Sequence, residues 1–318
     1  MTPHPHPSHA PRSRGIDYIV LASAKSGTTW MQRLLSAHPQ VHCSESRLFG
    51  RYFDKDNPSG PNLTVESYVQ NLARHYHPPV PAQDTPAFYQ SLLHNVIDAV
   101  AMTARGASGK PIYGEKFTPY LSTGLHAVEQ LHGYNPDLKL INLVRDGRDV
   151  VVSGAVHWSN LQLRNATGAR ADEIRHALHT RRVLREPFES FSGLWIDSVR
   201  AGLRAASLFP STLTVRYEDL LTSPRATLQP ILTFIGADPS AADACLDSAS
   251  FERLSGGRTP GSEDRSSFFR RGVAGDWQDW LSPDQVATFE SRAGFLLSQL
   301  GYPLASASRN IQPLHAVS

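Results

Sequence analysis

The sequence predicts an α/β protein, a three-layer arrangement with one parallel sheet and helices on both of its faces. Three observations predict it. Short apolar runs recur along the chain at residues 16–22 (IDYIVLA), 138–144 (LKLINLV) and 211–216 (STLTVR). Such runs are what a strand covered on both faces carries. Each run leads into a helix-like stretch. Alternating strands and helices build a parallel sheet, because each crossover must return the chain to the same end.

In order, residues 16–22 form the first strand, and the small-residue loop SAKSG follows. The helix TTWMQRLLSAH comes next and is closed by Pro39. Strand, small-residue loop and helix are the first half of a βαβ unit. Residues 50–110 read as a polar or helical insertion without strands. Residues 111–115 (PIYGE) are a second strand and 122–132 a helix. Residues 138–144 are a strand, Asp146 to His157 a helix, and 159–187 a second insertion. Residues 211–216 are a strand, with helices over 218–235. Residues 255–275 (SGGRTPGSEDRSSFFRRGVAG) are a long loop, and long loops in compact domains are commonly functional. No internal repeat is present. The expected organisation is one domain over 16–300, with a disordered Pro/His-rich tail at 1–15 and a C-terminal tail at 301–318.

Composition narrows the function. The 318 residues are 40% hydrophobic and 19% charged, enough for one large core. A formal net charge of +2 excludes a strongly basic nucleic-acid coat but permits a local cationic pocket. The two cysteines, Cys43 and Cys245, offer no disulfide framework, which suits a reducing, cytoplasmic compartment. Of the 14 histidines, His4, His6, His9, His38 and His42 fall in the tail and a loop, and no ligand pattern emerges, so no metal is expected. The first fourteen residues are not followed by an apolar signal core. The longest apolar runs are strand-sized, so no membrane span is expected. Asn-x-Thr at Asn62 and Asn165 carries little weight without a secretion signal.

Three segments carry anion chemistry. Lys25, Ser26, Gly27, Thr28, Thr29 and Trp30 lie between a strand and a helix. Amides at a helix start are unpaired, and the helix dipole favours an anion there. Gly27 permits close backbone approach, three hydroxyls add donors and Lys25 adds a charge. This is not a Walker A loop: the lysine precedes the glycine and no hydroxyl stands in the Mg²⁺ register. The second segment, Leu143 to Ser153 (LVRDGRDVVVS), places Arg145 at a strand end, where ligands collect in open α/β sheets. Ser153 lies eight residues on, in the following helix. The third, FFRRGVAGDW at 268–277, puts Arg270, Arg271 and Gly272 in a loop suited to clamping phosphate. An ordinary capped βα turn, a surface Arg–Asp cluster and a solvated basic patch are the plain alternatives for the three.

Together these segments resemble the sulfotransferases that use PAPS (3′-phosphoadenosine-5′-phosphosulfate). The resemblance also takes in Arg216 to Leu220 (RYEDL) and spans about residues 16–299. It implies a P-loop NTPase-like fold. By position, it implies that Lys25, Ser26, Gly27, Thr28 and Thr29 hold the 5′-phosphosulfate. Trp30, Tyr217 and Phe251 would surround adenine, where core packing is the alternative. Arg145, Ser153, Arg270, Arg271 and Gly272 would hold the 3′-phosphate. Lys116, in the stretch EKFTP, resembles the second lysine at the sulfuryl group. Cytosolic members place a catalytic histidine two residues after that lysine; here the residue is Thr118. Ser44 to Phe49 (SESRLF) resembles instead the glutamate-bearing segment of carbohydrate-modifying and bacterial members, which makes Glu45 the candidate base. Its alternative is a solvated loop carboxylate, and His42 and His157 are weaker candidates. The dimer motif of cytosolic members is absent, with Gln278, Ser282, Pro283 and Ala287 at its four positions.

The implied reaction moves a sulfuryl group from PAPS to a hydroxyl or amine and releases 3′,5′-ADP. PAPS is then a co-substrate, and no tightly bound cofactor is expected. A P-loop kinase or NTPase is the rival enzyme, recognisable by Mg²⁺-dependent ATP turnover. A non-catalytic nucleotide-binding module is the other rival, recognisable by donor binding without turnover.

Overall fold

The computed structural model describes residues 15–46, 48–49, 65–76, 85–119 and 124–305. Residues 1–14, Arg47, 50–64 with the Asn62 motif, 77–84, 120–123 and the residues after 305 lie outside these. Among the described residues, the sheet has five parallel strands: β1 (Tyr18–Ala22), β2 (Val41–Glu45), β3 (Ile112–Phe117), β4 (Lys139–Val144) and β5 (Thr212–Arg216). Their spatial order is β2-β3-β1-β4-β5. All five residues of β1 are buried. This follows from its central place, with β3 on one side and β4 on the other.

Helices cover both faces. On one lie α1 (Thr28–Ala37), α9 (Pro224–Ile235) and α10 (Ala242–Ser248), packed on Tyr18, Val20, Val41, Cys43 and Ile141. On the other lie α2 (Val65–Tyr76), α3 (Thr85–Ser108), α4 (Gly124–Tyr134) and α7 (Arg185–Leu208), whose core includes Ile19, Leu21 and Leu140. Alternate residues of one strand thus enter opposite cores, as the two-residue period of a strand requires. A third core joins α7 to α5 (Gly147–Gln162), α12 (Trp277–Trp280) and α13 (Pro283–Gln299) around Trp195 and Phe289. The remaining helices are α6 (Gly168–His179), α8 (Tyr217–Thr222) and α11 (Phe251–Ser255).

Three expectations need correction. A strand that the sequence reading lacked, β2, forms the sheet edge. Its burial alternates along VHCSE, so its polar residues face out and no continuous apolar run betrays it. Glu45 therefore ends a strand rather than sitting in a loop. Within 159–187, α5 runs on to Gln162, α6 follows, and 185–187 begin α7. The second strand extends to Phe117, carrying Lys116 into the sheet.

This order builds the site. β1 and β4 are neighbours, yet their outgoing helices lead to different cores. A crevice opens where connections diverge beyond strand C-termini, the usual place for a ligand in such sheets. The SAKSG loop leaves β1 there, and Arg145 leaves β4 beside it.

Candidate functional site

The loop after β1 is tightly curled. Lys25 takes a left-handed conformation at φ 66° and Gly27 another at φ 85°. Between them, the Ser26 amide donates to the Ser23 carbonyl at 3.3 Å. Left-handed backbone costs a residue with a side chain about 1–2 kcal/mol, so the strained Lys25 is held by its surroundings. Gly27 has two reasons to be glycine. Besides its φ, a Cβ there would meet the Tyr217 ring at 2.4 Å. Helix α1 starts at Thr28 with no side-chain cap and no acidic residue in its first turn. Its leading amides and its dipole are thus left for an anion. The Ser26 hydroxyl is buried and meets no partner among the described residues.

Arg145 joins this loop to the late one. It is buried, and its guanidinium donates to the Lys25 carbonyl at 3.0 Å and to the Val273 carbonyl at 3.3 Å. It also lies over the Tyr217 ring, 4.4 Å from the centroid. Burial opposes its charge, but Tyr217, Asp149, Glu218 and Asp146 outweigh burial and hold its pKa above the ordinary value. Three residues on, Arg148 turns away. It pairs with Asp146 at 2.7 Å and Glu290 at 2.8 Å and covers Trp277. The Arg–Asp cluster of the second segment is therefore buried, not the solvated patch that the plain reading allowed.

The arginines of the late loop are not free cations. Arg270 pairs with Glu263 at 2.7 Å and with Asp276. Arg271 pairs with Asp276 and, at 3.3 Å, with Asp279. Burial pushes the Glu263 carboxyl up, but Arg270 and Arg265 outweigh it and bring it below its ordinary value. Gly272, at φ 64°, lies flat on Phe251; a Cβ there would meet that ring at 2.5 Å.

Aromatic rings form the side walls. Trp30 meets Tyr217 edge-on with centroids 5.8 Å apart, and its indole N–H donates to the Ala249 carbonyl at 2.9 Å. Phe251 stands at the start of α11. The cleft so formed has a volume of about 640 Å³. Every residue that the sequence reading assigned to donor binding lines it except Ser26, which is buried.

The catalytic candidates lie at the next strand ends. Glu45 and Lys116 are register partners on β2 and β3. The Lys116 ammonium is 3.7 Å from the Glu45 carboxylate; the lysine side chain is 8% exposed and the glutamate 53%. Neither lines the cleft itself. Lys25 Nζ sits 4.6 Å from the Phe268 ring centroid, and His157 meets the same ring edge-on at 6.5 Å. His42 stacks on Tyr113 at the outer edge of the sheet, where burial and then Lys110 lower its pKa. Among the described residues, no three His, Cys, Asp or Glu side chains gather as a metal-binding group. No helix among them is long and apolar enough to cross a membrane.

Sequence reasoning missed the acids that lock the site: Asp149, Glu263 and Asp276. Asp149 and Asp276 stand inside the quoted motifs, but nothing in their spacing says that they are buried and face arginines.

The chain belongs to the sulfotransferase domain family, which it matches over residues 16–301. It is 26% identical over 177 residues to mouse sulfotransferase 2A2, covering 51% of this chain and 59% of that protein. It thus spans 59% of the length of that relative. It is 22% identical over 306 residues to cytosolic sulfotransferase 11 of Arabidopsis thaliana, covering 91% of this chain and 75% of that one. In structure it is similar to mouse sulfotransferase SULT7A1 complexed with PAP, with a TM-score of 0.53 at 18% identity, over 93% of this chain and 89% of that one. That likeness agrees with the three-layer, P-loop NTPase-like fold.

Proposed function

We propose that this protein moves the sulfuryl group of PAPS to a hydroxyl or amine and releases 3′,5′-ADP. One observation carries the reading. Three anion-binding segments more than a hundred residues apart converge on one cleft at the uncapped start of α1. The mouse structural relative in complex with PAP supports the same ligand class. In this reading Lys25 to Thr29 grip the 5′-phosphosulfate, the rings of Trp30, Tyr217 and Phe251 enclose adenine, and Arg145, Ser153 and Arg270–Gly272 take the 3′-phosphate. The ion pairs of Arg270 and Arg271 open or share their donors when the phosphate arrives.

Sulfuryl transfer needs alignment and charge stabilisation more than covalent help. The acceptor oxygen or nitrogen bonds to sulfur while the bond from sulfur to the bridging phosphate oxygen breaks. Glu45 takes the acceptor's proton. Lys25 stabilises the leaving oxygen, and Lys116 pairs with the sulfuryl oxygens. The exposed carboxylate of Glu45 beside the buried Lys116 suits these roles: one meets an incoming acceptor, the other stays fixed. A cytoplasmic location and a single domain over 16–300 fit this reading.

Calorimetry tests the donor: 3′,5′-ADP binds at least tenfold more tightly than AMP, as one or more charge-assisted contacts require (about 1.5–3 kcal/mol each). Equal affinity overturns the assignment. Labelled PAPS incubated with protein and a host-derived extract then identifies the acceptor through the labelled product.

A further inference from the structure

One buried carboxylate links two of the segments assigned to the 3′ side of the nucleotide, the end of β4 and the 268–277 loop. Asp149, in the first turn of α5, is 1% exposed. Its Oδ2 accepts from the Gly275 amide at 2.7 Å and its Oδ1 from the Trp277 amide at 3.0 Å. It therefore grips the backbone on both sides of Asp276, the acid shared by Arg270 and Arg271. Its Oδ2 also lies 3.8 Å from Arg145, whose donors tie down the Lys25 and Val273 carbonyls.

We infer that Asp149 is the positioning residue for 3′-phosphate recognition, acting through Arg145 on one side and through Asp276 on Arg270 and Arg271 on the other. This rests on the donor reading above. The physical argument is one of count and placement. A buried carboxylate needs several donors to stay ionised. Here two amides donate and the Arg145 guanidinium adds its charge at 3.8 Å, and all three belong to cleft-forming segments. Burial pushes the Asp149 carboxyl above its ordinary range, and Arg145 and the two amides oppose that push. Losing the charge would leave Arg145 without its nearest acid and the 275–277 peptide without its anchor. Three guanidiniums would then lose their common frame at once. A residue that merely supported the fold would weaken all nucleotide binding alike, whereas a residue that frames the 3′-phosphate donors sets the preference for that phosphate.

The test is the ratio of AMP to 3′,5′-ADP dissociation constants, measured by calorimetry for wild type and for Asp149→Asn. The asparagine keeps the shape but turns an NH₂ group toward donors. The expected result is a fall in the ratio of about tenfold or more, with AMP affinity within about threefold of wild type. Gly275→Ala provides a second route if the first variant does not fold. Gly275 has φ 81° and open space where a Cβ would stand, so alanine strains only the peptide that Asp149 grips. It should lower the ratio several-fold with the same sparing of AMP. An unchanged ratio in a folded variant, or equal loss for both nucleotides, overturns the inference. A wild-type ratio near one would instead overturn the donor reading itself.

Discussion

The donor cleft and the neighbouring strand ends that hold Glu45 and Lys116 are built by opposite means. In the cleft, charges are buried and interlocked: Arg145 between two loops, Arg270 and Arg271 on shared acids, Asp149 beneath them. At the ends of β2 and β3, one ion pair of 3.7 Å joins a buried lysine to a half-exposed glutamate. A nucleotide of fixed shape rewards a site fixed in advance, since ordering is already done before binding. An acceptor has to enter and leave, and a carboxylate at an open strand end gives it room. If the proposed roles hold, the difference teaches that donor binding and removal of the acceptor's proton occupy separable parts of this fold, with Lys25 at the border between them.

The largest expected effect separates them. Glu45→Gln should lower turnover by about 10²- to 10⁴-fold, the usual range for a general base, while 3′,5′-ADP affinity stays near wild type. Turnover and calorimetry on the same preparation check it. Loss of both together would break the separation. Near-normal turnover, with His157→Ala inactive at unchanged affinity, would move the base to the histidine.

The converse comes next. Arg145→Ala should weaken 3′,5′-ADP binding by about 1.5–3 kcal/mol. It should also lower the melting temperature, because the Lys25 and Val273 carbonyls lose their shared donor. Arg145→Lys should recover the charge but not the fork that reaches both carbonyls. Full recovery by lysine in calorimetry would show that charge alone matters there.

A smaller effect tests how rigid the cleft is. Gly27→Ala meets both a left-handed φ and the Tyr217 ring, and should cost about 1–3 kcal/mol in unfolding free energy. Gly256→Ala shares the positive φ, at 77°, but meets nothing within 4 Å, so it should cost only about 1 kcal/mol. Denaturant titration distinguishes them. Equal losses would mean that the Tyr217 ring yields freely and that the cleft is less fixed than the comparison holds.

How much was legible in the sequence follows the same division. β1 and β4 announced themselves because central strands are apolar on both faces. The loop at 23–27 was legible because a glycine, hydroxyls and a lysine between strand and helix have few other uses. Edge strand β2 was not, since His42, Ser44 and Glu45 interrupt its apolar residues. That omission put Glu45 in a loop and hid its register with Lys116. The pairings of Glu263, Asp276 and Asp149 were hidden for another reason: they join residues through an irregular loop, where no periodicity reports which side chain faces inward. Motif order placed the arginines at one site, but only the fold shows which acids hold them.

The edge-on placement of Trp30 against Tyr217 gives the protein its own optical reporter. Of its five tryptophans, Trp195 and Trp280 are deep in the core, Trp277 is covered by Arg148 and Trp158 lies by Arg170. Trp30 alone lines the cleft. An adenine seated there should quench its emission, so nucleotide arrival and departure can be followed by intrinsic fluorescence in a stopped-flow instrument without any label. Trp30→Phe should silence that signal while leaving a ring in the wall.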